Sequence, residues 1–201
     1  MNYGPEIWGP KAWNLLHSFS IIKTDSSLDK IKIAYTKFYH SFSAVLPCME
    51  CAEHYMDILL NKNPIEEDKI TREYLLKWVF RTHNSVNKQI KKPMYKYSDF
   101  LKDILENPSY IRHDSIFFIL RATFFGTVDY KNLTMYKYRQ LHTFFTYFCK
   151  LYPEKSRRGL LRNLLKNKNM SFKKYVKTPI TLQTWMNENI STLKSILLGP
   201  S

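Results

Sequence analysis

The chain has 201 residues with 31 Lys+Arg against 17 Asp+Glu, a formal net charge of +14, and its 44% hydrophobic and 15% aromatic content with only five glycines excludes a disordered or collagen-like polymer. It is long enough to bury the core of one large domain or two small ones. No apolar run approaches the roughly 20 residues of a membrane span, and the start, Met1 to Glu6, lacks the layout of a signal peptide. Three cysteines, Cys48, Cys51 and Cys149, are too few for a secreted disulfide scaffold and too few for a four-thiolate zinc site.

Taken in chain order, the elements read as helices. Trp8, Ala12, Leu15, Leu16 and Phe19 recur at three-to-four spacing, with Pro10 expected in the first turn, where its missing N–H costs nothing. Asp25, Ser26 and Ser27 offer an N-cap to a second helix marked by Leu28, Ile31, Ala34, Tyr35, Phe38 and Phe42. Pro47 interrupts, because it has no backbone donor and biases its predecessor away from helix. A third helix is expected from about Cys48 to Leu60, and a fourth from Thr71 through Leu75, Trp78, Val79 and Val86 to the stop at Lys91, Lys92 and Pro93. A short fifth follows from Ser98 and Asp99 to Leu105.

Beyond Pro108 the same periodicity predicts helices over about 114–126, 133–152, 156–168 and 181–198. Strand alternation and hairpin dipeptides are missing, so the fold class is all-α. Charge divides the chain: residues 1–108 hold 15 Lys+Arg and 13 Asp+Glu, residues 109–201 hold 16 and 4. The shift suggests two units, 1–108 and 109–201, the second basic enough to suit nucleic acid or an acidic protein, or simply bearing a lysine-rich solvated surface.

Cys48-Met49-Glu50-Cys51 sets two thiols three residues apart on one helical face, directly after Pro47. They can close a disulfide, share a metal with His54 and a further ligand, or be structural; the free amides of a helix start lower a thiol pKa and raise the thiolate population able to attack. A redox CxxC of the thioredoxin kind needs a βαβ setting, which this chain lacks. A redox dithiol in an all-helical chain therefore calls for another electron acceptor, a bound cofactor being the natural one. Trp13 and His17 share one face of the first helix, as do Cys51, His54 and Tyr55 on the third. On the fourth, the pairs His83/Asn87 and Asn84/Lys88 give adjacent polar faces beside Trp78 and Val86, suited to an adenine edge, a ribose and a phosphate. Taken singly, each is more often a core or surface residue than a cofactor contact.

Three blocks in this order, Trp8-Gly9-Pro10-Lys11-Ala12-Trp13-Asn14-Leu15-Leu16-His17, Leu46-Pro47-Cys48-Met49-Glu50-Cys51-Ala52-Glu53-His54-Tyr55 and His83-Asn84-Ser85-Val86-Asn87-Lys88-Gln89-Ile90-Lys91-Lys92-Pro93, resemble the Erv/ALR FAD-linked sulfhydryl oxidases, most closely the members encoded by large DNA viruses. The blocks span roughly residues 6–97. The resemblance implies a four-helix bundle plus a short fifth helix that holds FAD, forms a homodimer and oxidises protein thiols with molecular oxygen, giving hydrogen peroxide. Carried over by position, Gly9, Lys11, Trp13, His17, His54, Trp78, His83, Asn84, Val86, Asn87, Lys88, Lys92 and Tyr95 line the FAD site; Cys51 faces the flavin as the charge-transfer thiolate, and Cys48 exchanges with substrate. No metal is implied.

The chain also departs from the family pattern. Phe80 and Tyr97 stand where many members carry a second disulfide, which suggests an aromatic contact in its place. Lys91 stands where a glycine precedes Lys-Pro, and Pro10 where an arginine is sometimes found. No second CxxC is present, and Cys149, among Phe144, Phe145, Tyr147 and Phe148, is expected to be a buried free thiol. A thiol oxidase of this kind is expected in host cytoplasm or virion, with the mitochondrial intermembrane space as the alternative. The competing reading is a helical interaction module whose basic half, 109–201, binds nucleic acid or an acidic protein.

Overall fold

The computed structural model describes residues 4–21, 28–106 and 111–199, and every regular element among them is helical. The first half comprises α1 (Pro5–Ser20), α2 (Leu28–Ser41), α3 (Met49–Asp57), α4 (Arg72–Gln89) and α5 (Tyr97–Leu105). The second comprises α6 (His113–Arg121), α7 (Met135–Leu151), α8 (Lys155–Lys166), the single turn α9 (Phe172–Tyr175) and α10 (Pro179–Leu198). The N-cap expected from Asp25, Ser26 and Ser27, and most of the compositional boundary near Asn107, lie outside the described residues.

Helix ends follow local chemistry. Thr71, Thr134 and Thr178 accept from backbone N–H groups at the starts of α4, α7 and α10, satisfying donors that have no partner within the helix. At α10 the bond is reciprocal, because the Thr181 side chain accepts in turn from the Thr178 backbone. α1 corrects one expectation. It begins at Pro5, so Pro10 lies in its second turn and removes the N–H that would reach the Glu6 carbonyl. Two helices end on widened turns, Ile58–Lys62 after α3 and Ala122–Thr127 after α6, so the expected helices over 48–60 and 114–126 each divide near their ends. α9 had no counterpart in the periodicity, since a single turn is too short to repeat.

α4 ends in a Schellman arrangement. The Lys92 N–H bonds the Asn87 carbonyl at 2.8 Å, the Lys91 N–H bonds that of Lys88 at 3.3 Å, and Lys91 adopts φ 55°. A left-handed conformation is one that glycine adopts without steric cost, so Lys91 is strained there.

The buried core runs across the change in charge. α7 lies along α2, α6 along α1, and α10 against α6 and α8. Phe19 of α1 stacks on Phe38 of α2 at 4.4 Å and on Phe148 of α7 at 5.5 Å, while Phe38 stacks on Phe144 at 5.4 Å; all four rings are buried. Deeper in the second half, Trp185 meets Phe172 and Phe145 edge-on at 4.8 and 5.5 Å, and its indole N–H donates to the Met170 carbonyl. Cys149 is a free, buried thiol whose pKa burial raises, which makes it inert. Phe80 and Tyr97 meet edge-to-face at 5.0 Å, so an aromatic contact does join α4 to α5.

Because Phe148 bridges both halves, Phe148→Ala is expected to cost about 3–5 kcal/mol and to lower the melting temperature of the whole chain in one transition. Calorimetry showing a first-half transition unmoved by this substitution would establish instead that the halves unfold independently.

Candidate flavin and dithiol site

The dithiol sits where its chemistry needs it. Pro47 ends the preceding turn and Cys48 becomes the N-cap of α3, its sulfur accepting from the Cys51 N–H at 3.2 Å. Cys48 and Cys51 are closed as a disulfide across a Cα separation of 5.2 Å. The turn that delivers them is held from the second half, where the buried Thr123 hydroxyl donates to the Val45 carbonyl at 2.7 Å. Met49, between the cysteines, is 79% exposed, so the outer side of the pair is open to a macromolecular partner.

Behind the disulfide lies a cavity of about 890 Å³, within the size range of cofactor sites. Cys51 is on its wall and Cys48 is not. The wall also takes Gly9, Trp13 and His17 from α1, His83, Val86 and Asn87 from α4, and Lys92 and Tyr95 from the segment before α5. The structure therefore gathers nine of the expected cofactor residues, counting Cys51, around one space. At Gly9 an added Cβ would meet no protein atom within 4 Å, so the backbone there is open to close approach by a ligand.

Trp13 stacks on His83 at 4.0 Å with the planes 13° apart, and His17 Nε2 lies 3.1 Å from His83 Nδ1. One nitrogen of that contact must donate and the other accept, which requires at least one neutral ring. Burial, with His83 adding repulsion, holds the His17 pKa well below its usual value; burial and then Lys92 lower that of His83 to about 4. Near neutral pH both imidazoles are uncharged, so the stack offers a flat, neutral surface with ring nitrogens at its edge.

The remaining expected residues stand elsewhere, each for a visible reason. Asn84 and Asn87 both clamp the chain after α4: Asn84 exchanges two hydrogen bonds with the Tyr95 backbone, at 2.8 and 3.0 Å, and Asn87 donates to the Pro93 carbonyl. Of the two, Asn87 alone also lines the cavity, while Asn84 holds Tyr95 on its wall. Trp78 is fully buried, lies tilted against Tyr39 at 4.7 Å and donates to the Asn63 carbonyl, so it is a core residue here. Lys11 places its ammonium 4.9 Å over the Phe118 ring of α6. His54 is partly exposed beside Glu50, and Lys88 lies off the cavity wall. Among the described residues no cluster of His, Cys, Asp or Glu has the makings of a metal site.

Sequence reasoning missed Phe100, Ile104 and Arg112, which also line the cavity. Phe100 and Ile104 are an i, i+4 pair on α5 and were legible as such. Arg112 lies beyond all three blocks, and no local signal marked it.

A helical bundle that sets a surface disulfide at a helix start against an aromatic, amide-rich cavity defines a cofactor-linked dithiol protein. The Erv1 / Alr family model matches residues 10–105, and the chain belongs to that family. It is 34% identical over 101 residues to a probable FAD-linked sulfhydryl oxidase of Acanthamoeba polyphaga mimivirus, covering 50% of this chain and 70% of that one. It is 31% identical over 123 residues to an FAD-linked sulfhydryl oxidase of African swine fever virus, covering 61% and 92%. The mitochondrial FAD-linked sulfhydryl oxidase of Saccharomyces cerevisiae is 32% identical over 87 residues, 43% of this chain and 44% of that one. No solved structure matches the chain.

Both site histidines bind protons more weakly folded than unfolded, so between about pH 6.5 and pH 4 the unfolded chain takes up more protons and stability falls as pH falls. His40, His113 and His142, all lowered chiefly by burial, add to the same slope. Thermal melts of the apoprotein should therefore show a melting temperature that drops steadily below pH 6.5, with a shallower slope in His83→Gln. A melting temperature flat over that range would contradict the assignment of neutral buried imidazoles.

Proposed function

We infer that the chain is an FAD-dependent thiol oxidase that forms disulfide bonds in substrate proteins, with molecular oxygen as the final acceptor and hydrogen peroxide as product. The observation that carries the reading is the placement of the two cysteines, Cys51 on the cavity wall and Cys48 off it, with exposed Met49 between them.

The residues fit FAD. The Trp13–His83 stack offers a planar face, neutral His17 and His83 offer ring nitrogens, Gly9 allows close approach, and Lys92 supplies positive charge. Val86, Asn87 and Tyr95 complete the proposed cofactor contacts, with Asn84 acting through Tyr95. Lys11, His54, Trp78 and Lys88 stay in the proposal only as residues around the site.

In the proposed mechanism a substrate thiolate attacks Cys48, the sulfur away from the cavity. A mixed disulfide forms and Cys51 leaves as a thiolate, stabilised by the amides at the start of α3. The second substrate thiol then displaces Cys48, releasing oxidised substrate. FAD, when bound, supplies acceptance of the electron pair and its passage to oxygen. The aromatic and aliphatic side chains that share the wall with Cys51 limit the access of water to it.

We further propose that the homodimer implied by the family forms on faces other than those of α1 and α2 that α6 and α7 cover. The second half presents Arg162, Lys166, Lys168, Lys173, Lys174 and Lys177 as exposed basic side chains, which suits an acidic partner. Virus-encoded relatives favour action in host cytoplasm or virion, with the mitochondrial yeast relative as the alternative; fractionation of producing cells and particles distinguishes the two.

Purified protein should be yellow and should consume oxygen with a dithiol. Cys51→Ser and Cys48→Ser should each reduce turnover to background, and Cys51→Ser should trap a substrate protein through Cys48 as a mixed disulfide. Full turnover in Cys51→Ser would sink the scheme. Sedimentation with and without a DNA duplex reads the assembly: the dimer mass alone, and with DNA a heavier species that dissolves as salt rises. A monomer indifferent to DNA would remove both proposals.

A further inference from the structure

The cavity's charge balance is closed by a residue from outside the matched region. Lys92 and Arg112 are the cations on the described wall, and Glu6 and Asp103 are the anions. With both histidines neutral, the wall without Arg112 would carry one ammonium against two carboxylates. A flavin dinucleotide brings a diphosphate, so such a wall would repel the most highly charged part of the ligand. Pro10 lies on the same wall, where it offers no donor, and the Lys11 ammonium is taken up over Phe118.

We propose that Arg112, supplied by the second half of the chain, binds the diphosphate of the cofactor. The inference rests on the FAD reading above. A guanidinium suits this role because its fork of N–H donors matches two phosphate oxygens at once. Arg112 is the N-cap residue of α6, and its neighbours fix it in place although its own side chain is exposed. Ser115, Ile116, Ile119 and Leu120 are buried, and α6 lies along α1, the helix that carries Trp13 and His17.

His113 locks the same turn from the other side. Its Nδ1 is 2.5 Å from the Tyr152 hydroxyl, and its Nε2 is 3.1 Å from both the Arg157 guanidinium and Glu154. Burial, then Arg157, lowers the His113 pKa, while Glu154 and Asp114 oppose the shift. Arg157 also pairs with Glu154 and donates to the Ile196 carbonyl at 2.9 Å, which ties α6, α8 and α10 together beneath Arg112. The second half thus builds a supported platform and presents one cation from it to the cavity.

The test is a titration of the full-length apoprotein with FAD, followed by flavin fluorescence, at low and high ionic strength. Arg112→Gln should weaken FAD binding about tenfold at low salt, the loss of one charged hydrogen-bonding partner, with the difference shrinking as salt rises. Arg112→Lys, which keeps the charge but not the fork, should fall between Arg112→Gln and the wild type. Wild-type affinity in Arg112→Gln would overturn the proposal, and so would equal, salt-independent losses in both variants, which would mark Arg112 as structural. A wild-type apoprotein that takes up no FAD would instead overturn the cofactor reading itself.

Discussion

The architecture depends on the aromatic contact between α1–α2 and α7. Phe19, Phe38, Phe144 and Phe148 form one stacked group, with Tyr152 edge-on to Phe19, and every ring in it is buried. Such rings each remove a large apolar area from water and add directional ring–ring attraction. Without α7, the outer faces of α1 and α2 would carry phenylalanine to solvent. The helix bearing Trp13 and His17 on its inner face is thus supported on its outer face by the part of the chain that carries most of the net positive charge. Surface charge and core membership divide the chain differently: charge changes near residue 108, but the core does not.

The same coupling reaches the redox pair. The turn Phe42–Val45 packs against α7, and Thr123 holds the Val45 carbonyl three residues before Cys48. A buried carbonyl left without its partner costs on the order of 1–3 kcal/mol, so this bond resists any drift of the backbone that leads into α3. The disulfide is presented at a helix start on one side and backed by the cavity on the other. The position of Cys48 and Cys51 relative to the cavity is therefore set by both halves, although their identity and spacing lie in the first alone.

Much of this was legible from residue spacing. The five helices of the first half and the four longer ones of the second follow the recurrence of apolar residues, since a helix buried on one face must repeat every three to four positions. Trp13 and His17 could be placed on one face because residues four apart share it, whereas His83, on another helix, was joined to them only by the family resemblance. What spacing could not reveal were contacts made over long separations. Trp78 looked like a stacking partner, but its indole N–H is committed to Asn63, fifteen residues earlier. Lys11 was expected on the FAD site, yet its position over Phe118 depends on α6, which no periodicity in the first half announces. Asn84 carried the right chemistry for a ligand and spends it on the Tyr95 backbone.

These commitments show how the cavity keeps its shape. A polar side chain cannot both bind a ligand strongly and hold a loop unless it has donors and acceptors to spare. Asn84 uses its oxygen and a nitrogen on the loop, and that loop sets Tyr95 near His83, 5.2 Å between ring centroids. Lys91, held in a left-handed conformation, turns the chain so that Lys92 can reach the cavity while Pro93 meets Asn87. The strain at Lys91 and the hydrogen bonds of the two asparagines act in opposition: the first disfavours this turn, and the second keep it closed. The Trp13–His83 stack and Tyr95 make a neutral aromatic surface, and such a surface cannot by itself attract a doubly charged ligand. Positive charge reaches this cavity only through side chains not already committed to holding the structure, and among the described wall residues those are Lys92 and Arg112.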